Sequence, residues 1–186
     1  PRGIKGCIFG KSGIGKTTLL YLLAGLRKPQ RGRVVYRGEV LEKTPAGVGL
    51  MLQDYGLLPW YRVEANVALG LRLRGVGKKE RVARSRAWLE RLGIEHLAKR
   101  FPLQLSGGQR QRIMMARAYL VKPKFIVADE PVSMVDASLR ASILDVMMRL
   151  KDEHNISFLY ITHDLSTAYQ IGDQIILLYQ GRVAEQ

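Results

Sequence analysis

The sequence predicts an α/β fold with a mainly parallel sheet and an inserted α-helical subdomain. Short apolar runs alternate with segments of helical periodicity, the pattern of parallel strands joined by crossover helices. The 186 residues are 47% hydrophobic, which is enough for a packed core. Between Val63 and about Leu120 no segment is a convincing strand, so helices are expected there. We predict one domain, with its core at 1–62 and 118–186 and the helical subdomain at about 63–117.

Five apolar runs are candidate buried strands, and a sixth segment has the character of an antiparallel strand. The five runs are Cys7–Phe9, Val48–Leu52, Phe125–Ala128, Ser157–Ile161 and Gln174–Leu178. The sixth segment, Arg33–Tyr36, has no obvious partner strand before it. Because so few residues precede the first core strand, we expect that N- and C-terminal flanks of a longer protein are missing from this chain.

Helices are predicted where apolar residues recur at helical spacing. The predicted helices are Thr17–Leu26, one near Glu80–Leu92, one that follows Ser106, Ser138–Lys151 and Asp164–Ile171. The first is apolar nearly all round, as is typical of a helix buried on several sides. Gly93 is the expected stop of the second helix, and Ser106 is a good N-cap for the third.

The charge of the chain is strongly positive. Thirty Lys and Arg against 16 Asp and Glu give a net charge of +14, and 14 basic but only four acidic residues lie between Arg62 and Arg117. Such a surface suits nucleic acid, anionic lipid head groups or nucleotide phosphates. A solvated helical face is the simplest interpretation of the basic segment, and proximity to an anionic membrane leaflet is the next.

Composition excludes several classes of protein. No run approaches the 18 apolar residues of a membrane-spanning helix, and the N-terminus has no hydrophobic signal region. The single cysteine, Cys7, cannot form an internal disulfide, which fits a reducing cytoplasm. We interpret Cys7 as a small core residue and not as a reactive thiol.

Residues Gly10 to Thr17 satisfy the pattern G-x-x-x-x-G-K-[ST] between a predicted strand and a predicted helix. Glycines at 10, 13 and 15 allow the backbone to turn and to direct successive N–H groups at a phosphate chain. The following helix adds its positive N-terminal end. Lys16 is expected to reach the β and γ phosphates, and the Thr17 hydroxyl to hold Mg²⁺.

Two acids, Asp129 and Glu130, follow the strand Phe125–Ala128 at the edge where open α/β sheets place ligands. In an extended backbone the side chains of these two adjacent residues point in opposite directions, so the two carboxylates can have different roles. Asp129 is placed to help hold Mg²⁺ near Thr17, and Glu130 to polarise an attacking water. A second candidate anion site is the helix start at Leu105–Gln109, where Ser106 caps the helix and two glycines permit close approach.

The segments GKSGIGKTT, LSGGQRQR, FIVADEP and ITHD, in this order and spacing, resemble the nucleotide-binding subunit of ATP-binding cassette (ABC) transporters. The resemblance runs from about Gly6 to Gln186 and implies a P-loop NTPase (RecA-like) core and a single ABC ATPase domain. It implies ATP and Mg²⁺ as cofactors and ATP hydrolysis coupled to transport. In members of this family an adenine-stacking aromatic residue lies upstream of the stretch that corresponds to this chain.

The resemblance also implies roles for residues that the local patterns do not identify. Gln53 matches the Q-loop glutamine, which senses Mg²⁺ and contacts the membrane partner. Asp136 matches the D-loop aspartate, although Val135 replaces the usual leucine, and His163 matches the switch histidine that contacts the γ-phosphate. The residues that the resemblance implies for nucleotide binding are Gly10, Ser12, Gly13, Gly15, Lys16, Thr17, Thr18, Ser106, Gly107, Gly108 and Gln109. Those implied for the metal are Thr17, Gln53 and Asp129. Those implied for catalysis are Glu130, His163, Gln53 and Asp136.

Assembly follows from the same resemblance. The family forms a head-to-tail dimer, in which ATP lies between Lys16 of one chain and Ser106 of the other. The expected partners are a second copy or a paralogue, transmembrane permease subunits and a solute-binding protein, at the cytoplasmic face of the membrane. Two segments disagree about the solute: Leu57–Trp60 with Asn66–Leu71 resembles nitrate, sulfonate and taurine importers, whereas Ala128–Asp136 is closer to oligopeptide importers.

Two other functions are weighed against transport. A nucleic-acid-binding ABC ATPase is the alternative, but only Trp88 and Phe101 offer rings for base stacking between Arg72 and Arg112. A P-loop kinase would leave the LSGGQ segment unexplained. Fewer than 100 residues separate Lys16 from Ser106, which leaves no room for the long coiled coil of chromosome-maintenance relatives.

Overall fold

The computed structural model describes residues 3–36, 38–45, 47–133 and 135–185. Its strands are Lys5–Phe9 (β1), Val35–Tyr36 (β2), Glu39–Val40 (β3), Val48–Met51 (β4), Phe125–Asp129 (β5), Ser157–Thr162 (β6), Gln174–Tyr179 (β7) and Arg182–Glu185 (β8). Its α-helices are Lys16–Leu23 (α1), Val63–Val67 (α2), Leu69–Leu73 (α3), Lys78–Arg91 (α4), Gly107–Leu120 (α5), Ala137–His154 (α6) and Leu165–Ile171 (α7). Short 3₁₀ turns cover Glu95–Leu97 and Pro102–Gln104.

The chain divides into two compact units. The first comprises Pro1–Leu50, Lys124–Glu130 and Asn155–Gln186, and the second comprises Met51–Pro123 and Pro131–His154. The α/β class and the helical insertion are confirmed, because the described part of the second unit is helical apart from the end of β4 and the connecting turns. The predicted boundaries of the helical subdomain, at about 63 and 117, stay a prediction.

A six-stranded sheet with the order β4-β5-β6-β1-β7-β8 forms in the described part of the chain. Strands β5, β6, β1 and β7 pair in parallel, and β8 returns antiparallel to β7. In the register, Phe9 lies opposite Thr162 and Asp129 lies opposite Ile161. The carboxyl ends of β1, β5 and β6 therefore meet at one edge of the sheet.

The core of the first unit is apolar and lies between the central strands and α1. Ile8, Val127 and Ile161 come from β1, β5 and β6, and they pack with Leu20 of α1 and Leu178 of β7. Cys7, which precedes Ile8 on β1, is fully buried. Burial raises the pKa of its thiol to about 12, so it is a core residue with little thiolate, as expected.

One strand and one helix of the first unit are shorter than the sequence predicts. The segment predicted as an antiparallel strand is confirmed as one, but β2 covers only Val35–Tyr36, and it pairs with the strand that follows, β3, with Tyr36 opposite Glu39. Helix α1 ends at Leu23 and not at Leu26. Its end is set by Gly25, which has a left-handed φ of +69° and whose added Cβ would meet the Lys43 backbone at 2.8 Å.

The second unit contains more helix than predicted. Helices α4 and α5 correspond to the two expected ones, and Gly93 ends the first with a left-handed φ of +69°. Helices α2 and α3 were not expected, because five residues are too few to show a helical period. Asn66 fixes their start: its buried side chain accepts from the Leu58 N–H at 2.8 Å and donates to the carbonyls of Leu58 and Tyr61.

None of the helices in the described part of the chain combines the length and the apolar character that a membrane crossing requires.

Candidate functional site

The loop between β1 and α1 has the form of an anion cradle. Gly13 and Gly15 adopt left-handed φ values of +84° and +98°, and nothing lies within 4 Å of where their Cβ atoms would be. Gly15 is the N-cap of α1, and no side chain caps this helix. The N–H groups of the first helical turn are therefore available to a bound anion, and the helix dipole favours negative charge there. Ser12, Thr17 and Thr18 are exposed around this loop.

Lys16 is held against the same loop. Its side chain is only 6% exposed, and Nζ donates to the carbonyls of Gly10 at 2.8 Å and Lys11 at 2.9 Å. The nearest carboxylate oxygen is Oε1 of Glu130, at 3.9 Å. A buried ammonium that has no close ion pair among the described residues is an electrostatically strong site for phosphate oxygens.

Asp129 ends β5 directly beside the start of α1. The Thr17 hydroxyl donates to its Oδ2 at 2.9 Å, which joins the loop to the strand as the sequence predicts. The carboxyl group is 3% exposed, and burial raises its pKa above the usual value. The Thr17 hydrogen bond and the charge of Lys16 lower this pKa, and the neighbouring charge of Glu130 raises it. The net rise shows that desolvation outweighs the stabilising contacts.

Glu130 and His163 meet across the ends of β5 and β6. His163 Nδ1 lies 2.8 Å from Glu130 Oε1, and with the carboxylate ionised Nδ1 donates that hydrogen bond. Glu130 has a left-handed φ of +44°, and its N–H donates to the Ile161 carbonyl at 2.9 Å. A non-glycine residue held in this region is strained, and such strain is typical of functional positions. Glu130 is 9% exposed, whereas His163 is largely exposed.

Replacing Asp129 with asparagine is expected to stabilise the nucleotide-free protein at pH 7. A carboxyl whose pKa is raised on folding costs stability when charged, and this cost grows as pH rises through its folded pKa. The amide still accepts the Thr17 hydrogen bond, so we expect a gain of the order of 1 kcal/mol, or roughly 2–4 °C in Tm.

Thermal denaturation at pH 7 and in the acid range measures this effect. The difference in Tm between Asp129→Asn and wild type should become smaller as pH falls towards the usual pKa of aspartate. Asp152→Asn, at an exposed carboxylate on α6, is the matched control. A lower Tm for Asp129→Asn at pH 7 would show that the charged carboxylate stabilises the fold.

The predicted second anion site lies in the other unit. Ser106 is the N-cap of α5: its Oγ accepts from the Gln109 N–H at 3.3 Å, and Gln109 Oε1 accepts from the Ser106 N–H at 3.0 Å. This reciprocal pair is a capping box, so the predicted cap is confirmed. Gly107 is half-buried. Gly108 has a packing role that the sequence does not reveal, since an added Cβ would lie 2.1 Å from Cδ2 of Leu139 on α6.

Gln53 and Asp136 also belong to the second unit. Gln53 is exposed in the turn after β4. Asp136 is exposed immediately before α6, and its carbonyl accepts from the Arg140 N–H at 2.9 Å. Met134, in the segment that carries the D-loop resemblance, lies outside the described residues. The structure thus brings Lys16, Thr17, Asp129, Glu130 and His163 together in the first unit, which also contains the other predicted residues of the phosphate loop. Gln53, Asp136 and the predicted residues at 106–109 belong to the second unit.

Two positioning residues escape the sequence-based prediction. Arg117 of α5 donates to the carbonyls of Gly56 at 2.7 Å and Tyr55 at 2.8 Å, and so holds the turn that follows Gln53. Burial lowers the pKa of its guanidinium. Asp164 caps α7 behind His163, accepting from the Ser166 N–H at 3.0 Å and the Thr167 hydroxyl at 2.6 Å. In the sequence, Arg117 could have been noticed as the single arginine in the apolar run Ile113–Leu120.

The oxygen donors of the first unit fit a hard cation that is shared with a substrate. Thr17 Oγ1 and Asp129 Oδ2 lie side by side at the mouth of the phosphate loop. Among residues 3–36, 38–45, 47–133 and 135–185, no three His, Cys, Asp or Glu side chains are grouped to hold a metal. Mg²⁺ is commonly held by one or two protein oxygens together with phosphates and water. Thr17 Oγ1 and Asp129 Oδ2 would be the protein oxygens in such a site.

Comparisons with known proteins agree with this geometry. The ABC transporter family profile matches residues 1–133. The iron(III) ions import ATP-binding protein FbpC 1 of Haemophilus influenzae is 37% identical over 188 residues, covering all of this chain and 57% of the relative. The taurine import ATP-binding protein TauB of Pseudomonas aeruginosa is 41% identical over 171 residues, covering 92% of this chain and 65% of the relative.

A solved structure of an ATP-binding cassette, MJ0796, is also similar. It is a dimeric post-hydrolysis state bound to ADP and Pi, with a TM-score of 0.88, 30% identity, and coverage of all of this chain and 85% of that chain. The present chain spans little more than half the length of several curated relatives that it matches. The predicted P-loop NTPase core is confirmed by this likeness, and the chain belongs to the ABC transporter family.

Proposed function

We propose that the chain is the ATP-binding and ATP-hydrolysing part of an ABC importer. The observation that carries the proposal is the grouping of a phosphate loop, a buried lysine and two buried carboxylates at one sheet edge. The similar proteins FbpC 1 and TauB add support, since both are import ATP-binding proteins. A nucleic-acid ATPase is not favoured, because no observation on the site selects it. The whole chain is proposed to form one ABC ATPase domain, with its helical subdomain at about 63–117.

In this proposal the first unit binds the phosphates. The N–H groups of the loop from Gly10 to Thr17, together with Lys16 Nζ, hold the β and γ phosphates. Lys16 exchanges its bonds to the loop carbonyls for bonds to phosphate oxygens, and the low exposure of its ammonium strengthens them. Ser12 and Thr18 complete the cradle from its exposed side.

Thr17, Asp129 and Gln53 are the proposed Mg²⁺ ligands. When bound, the ion would neutralise charge that develops on the phosphates. The contact between Thr17 and Asp129 already aligns two hard oxygens for this purpose. Burial raises the pKa of the Asp129 carboxyl, and the hydrogen bond from Thr17 and the charge of Lys16 oppose this rise.

Glu130 is the proposed general base. Its Oε1 accepts the hydrogen bond from His163, which leaves the carboxylate oriented and still able to take a proton from an attacking water. His163 is proposed to hold Glu130 and to contact the γ-phosphate. Asp129 contacts Thr17 whereas Glu130 contacts His163, so the two neighbouring acids are proposed to serve different tasks.

The site is proposed to be completed by a second copy, whose Ser106, Gly107, Gly108 and Gln109 face the γ-phosphate, with Asp136 also at that contact. The hydrogen bonds that cap the start of α5 are already formed, which lowers the cost of ordering this segment on binding. Permease subunits and a solute-binding protein are the further proposed partners, and the proposed location is the cytoplasmic face of the membrane, where the chain is peripheral.

The concentration dependence of Mg-ATP hydrolysis tests this proposal. The rate per chain should rise with protein concentration, because two chains form each site. Ser106→Arg should abolish hydrolysis while monomeric ATP binding persists, and Ala83→Arg, at an exposed position of α4, should leave the rate unchanged. Circular dichroism checks the fold of Ser106→Arg, since the change also removes the helix cap. A rate per chain that is constant with concentration and insensitive to Ser106→Arg would contradict the shared site.

A further inference from the structure

A cleft in the second unit lies apart from every residue assigned above. Its volume is about 190 Å³, and it is lined by the end of α4 and by one face each of α5 and α6. Three arginines, one from each helix, line it: Arg91, Arg112 and Arg149. No aspartate or glutamate is among its lining residues.

The positive charge of this cleft is only partly compensated. Glu153 forms ion pairs with both Arg91 and Arg149, the latter at 3.9 Å. Arg112 is half-buried, and within the described ranges it has neither an ion pair nor a hydrogen bond from its side chain. Glu153 thus pairs with two of the three guanidinium groups and the third has no ion pair in the described part of the chain, so an anion that entered the cleft would be attracted by uncompensated positive charge.

The guanidinium of Arg91 is held in place before any ligand arrives. It lies 5.2 Å from the centre of the Trp88 ring, and its Nη1 is 3.5 Å from Nε2 of His154. The ion pair with Glu153 fixes its other end. A pre-oriented guanidinium loses less conformational entropy when it binds an oxyanion in the two-pronged manner typical of arginine.

The rest of the cleft is apolar. Leu92, Met115 and Ile143 are at most 7% exposed and form its floor, and Ser142 offers one hydroxyl at its wall. The volume is smaller than the roughly 300–1,000 Å³ of sites for drug-sized ligands, which favours a ligand of few atoms.

We propose that this cleft binds a small organic oxyanion that carries a short apolar group. Arg112 and Arg149 hold the oxyanion, Arg91 supports it, and the apolar group lies on Met115 and Ile143. Carboxylates and phosphate esters share the chemistry that guanidinium recognises. This site is independent of the phosphate loop, all of whose residues belong to the first unit.

Trp88 reports directly on this cleft because it contacts Arg91. The experiment uses Trp60→Phe as the parent chain, which leaves Trp88 as the one tryptophan. Isovalerate is titrated without nucleotide at constant ionic strength, and Trp88 fluorescence is followed. Isovaleramide provides the same shape without charge, isobutyl phosphate provides the phosphate-ester head group, and inorganic phosphate provides charge without the apolar group.

The expected result is a saturable change in Trp88 fluorescence with isovalerate or isobutyl phosphate. The compound that binds more tightly identifies the preferred head group. Isovaleramide should give no saturable change, and inorganic phosphate should bind more weakly. Arg112→Gln should weaken binding about tenfold or more, because it removes the guanidinium that has no protein partner. Arg86→Gln, on the exposed side of α4 and paired with Glu64, should change the affinity by less than about twofold.

Ser142→Leu is a second test that keeps all three arginines. Its larger side chain should fill the cleft and abolish the response, and it sits at an exposed position, so the fold should tolerate it. Equal binding of isovaleramide, no saturable response to either anion, or wild-type affinity in both Arg112→Gln and Ser142→Leu would overturn the proposal. ATP binding is unaffected in every case, so the outcome is separable from the function proposed above.

Discussion

Replacing Glu130 with glutamine is expected to slow ATP hydrolysis by about 10²–10⁴-fold while ATP still binds. The amide keeps the size of the side chain but cannot accept a proton from the attacking water. The phosphate contacts assigned to Lys16 and Thr17 do not involve this carboxylate, so affinity should stay within a few-fold. Single-turnover hydrolysis and equilibrium ATP titration measure the two properties separately.

The matched control for this change is Glu90→Gln, at an exposed carboxylate of α4. It makes the same removal of charge at a position remote in the sequence from the assigned residues, and its hydrolysis rate should equal that of wild type. A Glu130→Gln protein that hydrolyses ATP at the normal rate would remove Glu130 from the chemistry and reduce the His163 contact to a structural role.

Replacing Lys16 with alanine is expected to weaken ATP binding by at least about 10²-fold. Two charge-assisted hydrogen bonds to phosphate are together worth roughly 3 kcal/mol or more, and each 1.4 kcal/mol is tenfold in affinity. The variant also leaves the carbonyls of Gly10 and Lys11 without their donor, so the loop should become less ordered. Titration with ATP at fixed Mg²⁺ measures the affinity.

Lys11→Ala is the matched control, because Lys11 lies in the same loop but is exposed, and its backbone carbonyl is retained. Its affinity should change by less than about threefold. An unchanged affinity in Lys16→Ala would mean that the loop does not bind the phosphates in the manner proposed.

Contiguous motifs were the most predictable part of this protein. The strand, loop and helix around Lys16 follow from one segment of sequence, because glycine positions and apolar flanks act locally. The edge at which Asp129 meets Thr17 follows from the general rule for parallel sheets. The contact between Glu130 and His163 depends on β5 and β6 being neighbours, and the sequence did not predict it: the resemblance to a family implied only a role for His163 at the γ-phosphate.

Other features could not be read from the sequence because they depend on packing between distant segments. The need for glycine at 108 comes from Leu139, thirty-one positions further along the chain. Asn66 and Arg117 look like ordinary polar residues, yet each satisfies backbone carbonyls of a turn. The arginine cleft likewise joins three helices whose charges are unremarkable one at a time.

The two adjacent acids, Asp129 and Glu130, each have a feature that lowers the stability of the fold. Burial raises the pKa of the Asp129 carboxyl, and Glu130 has a backbone conformation that few non-glycine residues adopt. Both features cost folding free energy, and the apolar contacts of Ile8, Val127 and Ile161 beneath them offset that cost. A site of this kind is expected to gain stability when Mg-ATP binds, because a ligand that binds only the folded state shifts the folding equilibrium towards it.

Sedimentation velocity of Glu130→Gln, with and without Mg-ATP, tests the central claim most directly. If ATP lies between Lys16 of one chain and Ser106 of another, uncleaved ATP should hold two chains together. We therefore expect a monomer without nucleotide, a stable dimer with Mg-ATP, and no dimer when Ser106→Arg is added to the same chain. A Glu130→Gln protein that binds Mg-ATP and stays monomeric at high concentration would contradict the shared site.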